Sequence, residues 1–236
     1  MPSIQVQGVT KGYGSKRLFE DVTVNFSEGR RYGLTGPNVF PILGSPVWFS
    51  NERVAEARQR FAHLAQTDGQ KVLVSLGGDS KTHRFTEARA TVIEADLRKL
   101  AAGRRFWITV SRRTPEPIRQ RFRKLAGELG AVFWEDESRD GPNPYVAFLS
   151  MSDAVLVTED SANMLADPAF FGKPIHVLKL EGSSPRFDKL HDGFIAQGAA
   201  RWFTGGIDIW TYPPVREAAR AADEIVRLLL QRHPNR

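Results

Sequence analysis

From residue 71 onward, short apolar runs alternate with segments that have the residue spacing of amphipathic helices. The first run, KVLVSL, is almost continuously apolar, as expected of a strand that is buried on both faces. This alternation predicts an α/β fold with a doubly wound parallel sheet. The predicted strands are KVLVSL, RFWITV, AVFW, AVLVT and PIHVLKL, and the predicted helices lie at about 86–102, 116–129, 161–171 and 215–230.

Composition narrows the class of protein further. The chain has 236 residues, of which 41% are hydrophobic, so it can bury a core and is not mainly disordered. It contains no cysteine, which excludes disulfides, thiolate catalysis and cysteine-ligated metal sites. The net charge of +6 favours anionic partners such as phosphate, a nucleotide or a membrane surface. We expect no nucleic-acid partner.

The sequence shows no signal for export or membrane insertion. Its beginning, MPSIQVQGVTKGYG, lacks the apolar core of a secretory signal. The longest stretch without charge, residues 32–51, contains three glycines and three prolines, which argues against a membrane-spanning helix. We therefore expect a cytoplasmic protein, and peripheral association with the inner face of the membrane stays open.

Three polar loops follow predicted strands, and they provide the candidate binding site. Their sequences are GGDSK at 77–81, SRRT at 111–114 and TEDS at 158–161. Ligands of doubly wound sheets bind beyond the carboxyl ends of the strands, and helix starts bind anions. We therefore predict that the three loops meet over one cleft for a phosphorylated or nucleotide ligand. The candidate residues are Gly77, Gly78, Ser80, Lys81, Ser111, Arg112, Arg113, Thr114, Asn143, Tyr145, Thr158, Asp160, Ser161 and Met164.

Each group of candidates also has an interpretation that needs no ligand. The paired glycines are compatible with a tight turn, the two arginines with a solvated helix start, and 160–161 with helix N-caps. The text around Asn143 is typical of a turn before a helix. The five histidines lack metal-ligand spacing, so we predict no metal site, although His83 and His191 lie in loop-like text within reach of a ligand. The acidic run at 135–137 is typical of a solvated turn.

Residues 1–38 contain short β-like pieces that are separated by turn-rich text. The segment IQVQGVTKGYGSKRLFEDVTVNFSEGRRYGLTGPN resembles the start of an ABC-F type ATPase. Such enzymes need the phosphate loop G-x-x-x-x-G-K-[ST], whose amides and lysine neutralise phosphates. Counting from Gly36, the glycine, lysine and hydroxyl positions hold Pro41, Ile42 and Leu43, so we predict no ATP hydrolysis. We interpret 1–38 as a truncated β appendage.

Residues from about 45 to 236 resemble a different family. They contain LGGDSK, ITVSRRTP, NPY, VTEDSANM, GKPIHVLKL, RFDKLHDGF and GAARWF…IWTYPP, in this order. These motifs resemble the mitochondrial-fission "elongated mitochondria" (Elm-type) proteins and their bacterial relatives, which in turn resemble GT-B glycosyltransferases. The resemblance implies a Rossmann-like, nucleotide-binding C-terminal half. It implies a diphosphate site at Gly77, Gly78 and Ser80, a base or phosphate contact at 111–114, and a donor-sugar loop at Thr158, Asp160, Ser161 and Met164.

The sequence departs from the family pattern in two respects. Asp167 followed by Pro168 stands where relatives carry a glutamate that aligns with ribose-binding residues. The N-terminal half of a GT-B enzyme, which holds the acceptor, is replaced here by the ATPase-like text. We therefore predict a chimeric reading frame joined near 38–39, with a linker and helix at 39–70 and a nucleotide-binding domain at 71–236.

The functional expectation follows from this organisation. A nucleotide or nucleotide sugar is the expected ligand, and no cofactor is predicted beyond a nucleotide-diphosphate sugar as donor substrate. A donor-side half-site without turnover is the leading interpretation, since transfer needs donor, acceptor and base held together. The alternatives are a non-enzymatic adaptor and an ABC-F type ATP-binding protein.

Overall fold

The computed structural model describes residues 3–13, 16–27 and 40–232. The chain divides into two compact units, Met1–Pro41 and Ile42–Arg236. In the first unit, β1 (Ser3–Tyr13) and β2 (Lys16–Ser27) form an antiparallel hairpin. The β-like piece predicted at 31–34 and the start of the incomplete phosphate loop at Gly36 lie outside the described residues.

The second unit consists of a six-stranded parallel sheet, a minor two-stranded sheet and eight α-helices among the described residues. The major sheet contains β3 (Gln70–Leu76), β5 (Arg104–Val110), β6 (Val132–Trp134), β7 (Ala154–Thr158), β8 (Ile175–Leu178) and β10 (Ala200–Trp202). The minor sheet pairs β4 (His83–Arg84) with β9 (Glu181–Gly182). The helices are α1 (Asn51–Arg60), α2 (Glu87–Leu100), α3 (Glu116–Leu129), α4 (Glu137–Asp140), α5 (Tyr145–Met151), α6 (Ala162–Phe170), α7 (Pro185–Ala196) and α8 (Glu217–Arg232), with a 3₁₀ turn at Ala62–Gln66.

The strand order across the sheet is β10-β8-β7-β3-β5-β6, and every neighbouring pair is parallel. Counted in chain order, this is the 3-2-1-4-5-6 order of a Rossmann-type sheet. The order reverses between β3 and β7, because the chain runs from β3 to β5 on one side of this point and from β7 to β8 on the other. The predicted α/β fold with a doubly wound parallel sheet is therefore confirmed, and the place where such sheets bind ligands lies above these two strands.

The core explains why the strands lack polar alternation. In β3, Val72, Val74 and Leu76 pack into a cluster with α2 and α3, whereas Leu73 packs into a second cluster with α5 and α6. Both faces of the sheet are thus covered by helices, as the apolar strand sequences require. Each fully buried aliphatic side chain of this kind contributes about 1.5–3 kcal/mol to folding.

Helix α2 shows how the sequence forms the outer layer. Thr86 caps its first turn, because the Thr86 hydroxyl accepts a hydrogen bond from the amide of Arg89. The helix buries one stripe of residues against the sheet. These residues are Ala90, Ile93, Leu97 and Leu100. In the described part of the chain, no helix combines the length and apolar character needed to cross a bilayer.

Candidate functional site

The loops after β3 and β7 join where the strand order reverses. The amide of Gly77 donates a hydrogen bond to Thr158 Oγ1 at 2.7 Å, and the amide of Gly78 donates to Asp160 Oδ2 at 3.0 Å. The Thr158 hydroxyl in turn donates to Asp160 Oδ1 at 2.7 Å. These bonds tie the two loops to each other directly.

The loop after β5 joins the same group through Arg113. Its guanidinium donates to Asp160 Oδ2 at 2.6 Å and to the carbonyl of Asp79 at 3.1 Å. The hydroxyl of Thr114 donates to the carbonyl of Gly77. The three predicted loops therefore meet as expected. We call this group the loop clamp, defined by Gly77, Gly78, Arg113, Thr114, Thr158 and Asp160.

The polar groups of the loop clamp are mostly occupied by hydrogen bonds to one another. The Asp160 side chain is fully buried, with 0% of its surface exposed, and it receives hydrogen bonds from an amide, a hydroxyl and a guanidinium. A Cβ added to Gly77 would lie 2.1 Å from Asp160 Oδ1, and one added to Gly78 would lie 2.1 Å from the carbonyl oxygen of Arg113. Both glycines therefore have a packing requirement that is independent of any ligand.

The hydroxyls of Ser80 and Ser161 organise local turns. Ser80 Oγ accepts hydrogen bonds from the amides of Thr82 and His83, at 3.2 and 3.0 Å. Ser161 Oγ accepts from the amide of Met164 at 3.4 Å and so caps α6. The neighbouring Lys81 is exposed.

Beside the loop clamp lies an open cavity of about 160 Å³, which we call the strand-end cleft. It opens at the carboxyl ends of β3 and β5 and reaches the first turns of α5 and α6. The residues that line it are Ser75, Leu76, Thr109, Val110, Ser111, Tyr145 and Met164. Of the predicted candidates, Ser111, Tyr145 and Met164 thus lie on open space.

Two larger hollows share residues with the strand-end cleft. One, of about 460 Å³, contains Ser111 together with Arg112 and Asn143. The other, of about 250 Å³, contains Asn143 and Tyr145 together with Arg53. The strand-end cleft and these two hollows are thus neighbours, because they share Ser111, Asn143 and Tyr145 as lining residues.

Tyr145 is held in place by a buried carboxyl group. Its hydroxyl donates to Asp167 Oδ2 at 2.9 Å, while its amide donates to Asn143 Oδ1 at 2.9 Å. Burial raises the pKa of Asp167 to about 6, although the hydrogen bond from Tyr145 acts in the opposite direction. Burial also raises the pKa of the Tyr145 phenol. Asp167 is therefore engaged by Tyr145.

The charges around the cleft differ from the sequence expectation at one position. Glu135 is not solvated: only 8% of its side chain is exposed, and it forms ion pairs with Arg119 at 2.8 Å and Arg123 at 3.1 Å. These two ion pairs hold the turn that contains Glu135 in a fixed geometry. By contrast, Arg112 is exposed and has no carboxylate partner within residues 40–232. Within residues 40–232, Arg112 is thus a cation of this rim that forms no ion pair.

The two histidines that were expected to lie within reach of a ligand are buried. His83 is 2% exposed and His191 is 0% exposed. His191 lies in α7, not in a loop, and its Nε2 is 3.1 Å from the carbonyl oxygen of Glu159. Burial lowers the pKa of His191. The expectation that both histidines lie in exposed loops was therefore wrong: His83 lies in the short strand β4, and His191 lies in helix α7, which the sequence analysis did not identify.

Sequence analysis missed two polar residues that line the cleft, Ser75 and Thr109. Both lie near the carboxyl end of a buried strand, at paired positions in β3 and β5. A hydroxyl residue inside an otherwise apolar strand was the available signal. Such a hydroxyl residue marks the position at which the strand emerges from the core.

Comparison with known proteins gives a consistent family. A sequence model of the family described as mitochondrial fission ELM1 matches residues 27–229. Mitochondrial fission protein ELM1 of Arabidopsis thaliana is 29% identical over 166 residues, which are 68% of this chain and 38% of that protein. Uncharacterized protein RP120 of Rickettsia prowazekii is 28% identical over 186 residues, covering 75% of this chain and 50% of its own length. The chain therefore spans half or less of the length of these relatives.

A short match concerns a different kind of protein. The probable ATP-binding protein YbiT of Escherichia coli is 38% identical over 65 residues, which are 22% of this chain and 12% of that protein. Among solved structures, a family 9 glycosyl transferase from Veillonella parvula aligns with a TM-score of 0.44 and 13% identity, covering 78% of this chain and 53% of that one. The ADP-heptose heptosyltransferase II of Escherichia coli aligns with a TM-score of 0.41 and 15% identity, covering 84% and 56%.

Proposed function

The chain belongs to the mitochondrial fission ELM1 family, and we propose that its α/β unit binds the nucleotide part of a nucleotide-diphosphate sugar in the strand-end cleft. One observation carries this proposal. The cleft is open beside the point where a 3-2-1-4-5-6 sheet reverses its strand order, and sheets of this type bind nucleotides at that point.

The lining of the cleft suits a nucleoside. Tyr145 and Met164 offer apolar surface to a base, while the hydroxyls of Ser75, Thr109 and Ser111 can donate or accept hydrogen bonds. The hydroxyl of Thr109 has no hydrogen-bond partner among residues 40–232, so its bonding capacity is free for a ligand.

The diphosphate would lie towards the exposed cations at the rim. Arg112 follows β5 and lines the hollow that adjoins the cleft. Within the described residues it forms no ion pair, although Glu135, Asp136 and Glu137 line the same hollow. A guanidinium without an ion-pair partner binds phosphate with paired hydrogen bonds. Arg113, in contrast, is committed to Asp160 and supports the ligand only by fixing the loops.

We propose binding without turnover. Glycosyl transfer needs a donor, an acceptor and a proton-accepting group in one geometry, and orientation supplies a large part of the rate enhancement. Two carboxyl groups beside the cleft are already engaged: Asp160 is bound by Arg113, and Asp167 is bound by Tyr145. Neither is free to act as the general base.

Calorimetric titration of the whole chain with UDP, GDP, ADP and their sugar conjugates tests the proposal. We expect binding of one base series, and we expect Arg112→Ala to weaken it by about tenfold, the effect of one charge-assisted contact. Arg105→Ala is the matched control, since Arg105 is an exposed arginine at the opposite end of β5. Absence of heat at millimolar ligand, or an equal loss in Arg105→Ala, would contradict the proposal and favour the non-enzymatic adaptor.

A further inference from the structure

A second cavity, of about 290 Å³, adjoins α6 and α7, and we call it the α6–α7 pocket. Its lining residues are Ile42, Leu43, Gly44, Ala162, Arg186, Phe187, Lys189 and Leu190. Ala162 and Met164 are two residues apart on α6 and so face different sides of the helix. The α6–α7 pocket and the strand-end cleft therefore flank the first turn of the same helix without sharing a residue.

The wall formed by 42–44 is fixed to three helices. The amide of Leu43 donates to Glu217 Oε2 at 2.7 Å, which attaches the wall to α8. Ser45 Oγ donates to Asn163 Oδ1 at 2.5 Å, which attaches it to α6. A Cβ on Gly193 would lie 2.5 Å from Leu43 Cδ1, so the leucine side chain rests directly on the backbone of α7. The cavity is thus bounded by packed structure on several sides.

Two cations stand at this pocket without counter-charges. Arg186 and Lys189 are three residues apart on α7 and hence lie on the same side of the helix. Within the described part of the chain, neither forms an ion pair. The arginines of α3 behave differently, since Arg121 pairs with Glu94 at 2.5 Å and Arg123 pairs with Asp140 at 2.7 Å. The lining of the pocket therefore contains two cations and no carboxylate.

The remaining lining side chains are apolar, and none carries a hydroxyl, an amide or a carboxylate. A sugar is a poor match for such a lining, because arginine and lysine donate hydrogen bonds but accept none. An inorganic anion would leave the apolar wall in contact with water. A molecule with an anionic head and an apolar body satisfies both parts of the pocket.

We propose that the α6–α7 pocket binds an anionic amphiphile, with a phosphate or carboxylate head at Arg186 and Lys189 and an apolar chain along Leu43, Phe187 and Leu190. At about 30 Å³ for each water-sized group, the volume of about 290 Å³ holds roughly ten such groups. The proposal does not depend on nucleotide binding in the strand-end cleft.

Decyl phosphate, used below its micelle concentration, is a suitable probe, with inorganic phosphate and decanol as its two halves. We expect decyl phosphate to bind the whole chain at least about tenfold more tightly than either half, since head and tail contribute together. Arg186→Gln and Lys189→Gln should each weaken decyl phosphate about fivefold to tenfold. Arg105→Gln, which removes the same charge at a distant exposed site, should leave binding unchanged.

Ala162→Leu tests the contribution of the cavity independently of the charges, because it narrows the α6–α7 pocket and keeps both cations. We expect this variant to lose decyl phosphate binding while it keeps the melting temperature of the parent protein. Unchanged binding in Ala162→Leu, equal affinity for inorganic phosphate, or no binding of decyl phosphate to the parent would each overturn the proposal. UDP titrations of Arg186→Gln keep the two proposals distinct, since the cleft residues are intact in that variant.

Discussion

The loop clamp and the strand-end cleft lie side by side at the carboxyl ends of the same strands, yet they use their polar groups in opposite ways. In the clamp, Asp160 receives three kinds of donor, and the Thr158 hydroxyl both accepts and donates. In the cleft, Thr109 lines the cavity, and its hydroxyl forms no hydrogen bond within residues 40–232. Paired glycines, an arginine and an aspartate are typical of phosphate sites in a sequence, but here they join three loops. The Thr109 hydroxyl, in a strand, is a less distinctive group in the sequence, yet it forms no hydrogen bond within residues 40–232.

The strongest test of this comparison is Asp160→Ala. The substitution leaves the Arg113 guanidinium, the Gly78 amide and the Thr158 hydroxyl without their shared acceptor. The Arg113 side chain is 41% exposed, so water can solvate its charge in the variant, whereas the buried Gly78 amide and Thr158 hydroxyl each lose their acceptor at a cost of about 1–3 kcal/mol. We therefore expect a loss of about 3–5 kcal/mol in the free energy of unfolding, measured by urea denaturation.

Asp208→Ala provides the control for Asp160→Ala. Asp208 also pairs with an arginine, Arg201 at 3.7 Å, but 74% of its side chain is exposed. Exposed ion pairs contribute about 0–1 kcal/mol, so this variant should unfold close to the parent protein. Equal losses in the two variants would show that the clamp is no more than a surface ion pair.

The second prediction concerns Thr158→Val, which keeps the shape of the side chain and removes its hydroxyl. The Gly77 amide then lacks an acceptor, and Asp160 loses one donor. Leaving a buried polar group unsatisfied costs about 1–3 kcal/mol. We expect a loss of about 2 kcal/mol in the free energy of unfolding. A change below about 0.5 kcal/mol would mean that solvent replaces the hydroxyl and that the clamp is open.

The third prediction tests the support beneath the cleft and depends on pH. The folded-state pKa of Asp167 is raised to about 6 from 3.8. The protonated form of Asp167 therefore contributes to the stability of the fold. This contribution is fully present below about pH 4 and is lost as the pH rises through 6. The Tyr145 hydroxyl opposes this shift, so Tyr145→Phe raises the pKa of Asp167 further. We expect Tyr145→Phe to cost about 1 kcal/mol at pH 5 and about 2 kcal/mol at pH 8.

Tyr212→Phe is the matched control for the pH dependence. The Tyr212 hydroxyl donates to the carbonyl of Lys173 at 2.7 Å, and a carbonyl does not titrate. Its cost should therefore be the same at pH 5 and pH 8 by thermal denaturation. If Tyr145→Phe also showed a constant cost, ionisation of Asp167 would not be linked to the hydrogen bond from Tyr145.

The fold was largely predictable because its strands are buried on both faces. KVLVSL and AVLVT are continuous apolar runs, and helix α3 was expected at the residues where it occurs, Glu116–Leu129. Helix α7 was not predicted. Its sequence, PRFDKLHDGFIA, contains an internal glycine and many polar residues, and its helical form is supported by Phe194 and His191 in the core. Such tertiary support has no local signal.

The meeting of the three loops was predictable, but the contacts of their individual residues were not. The loops converge because parallel strands that neighbour each other end at the same edge of the sheet, which follows from the alternation pattern. The role of a polar residue depends on which groups it meets across the sheet. The contact of Asp160 with Gly78 joins residues that are 82 positions apart, and no spacing rule within the sequence reports it.

The smallest expected effect on stability is that of Thr109→Val. This variant makes the same threonine-to-valine change in the cleft that Thr158→Val makes in the clamp. Thr109→Val removes a hydroxyl that has no hydrogen-bond partner in the described part of the chain. Because no bond is lost, the free energy of unfolding should change by less than about 0.5 kcal/mol. Affinity for the nucleotide found by calorimetry should nevertheless fall about threefold to tenfold, the effect of one lost hydrogen bond. A destabilisation as large as that of Thr158→Val would show that the cleft, like the clamp, uses its hydroxyls for folding.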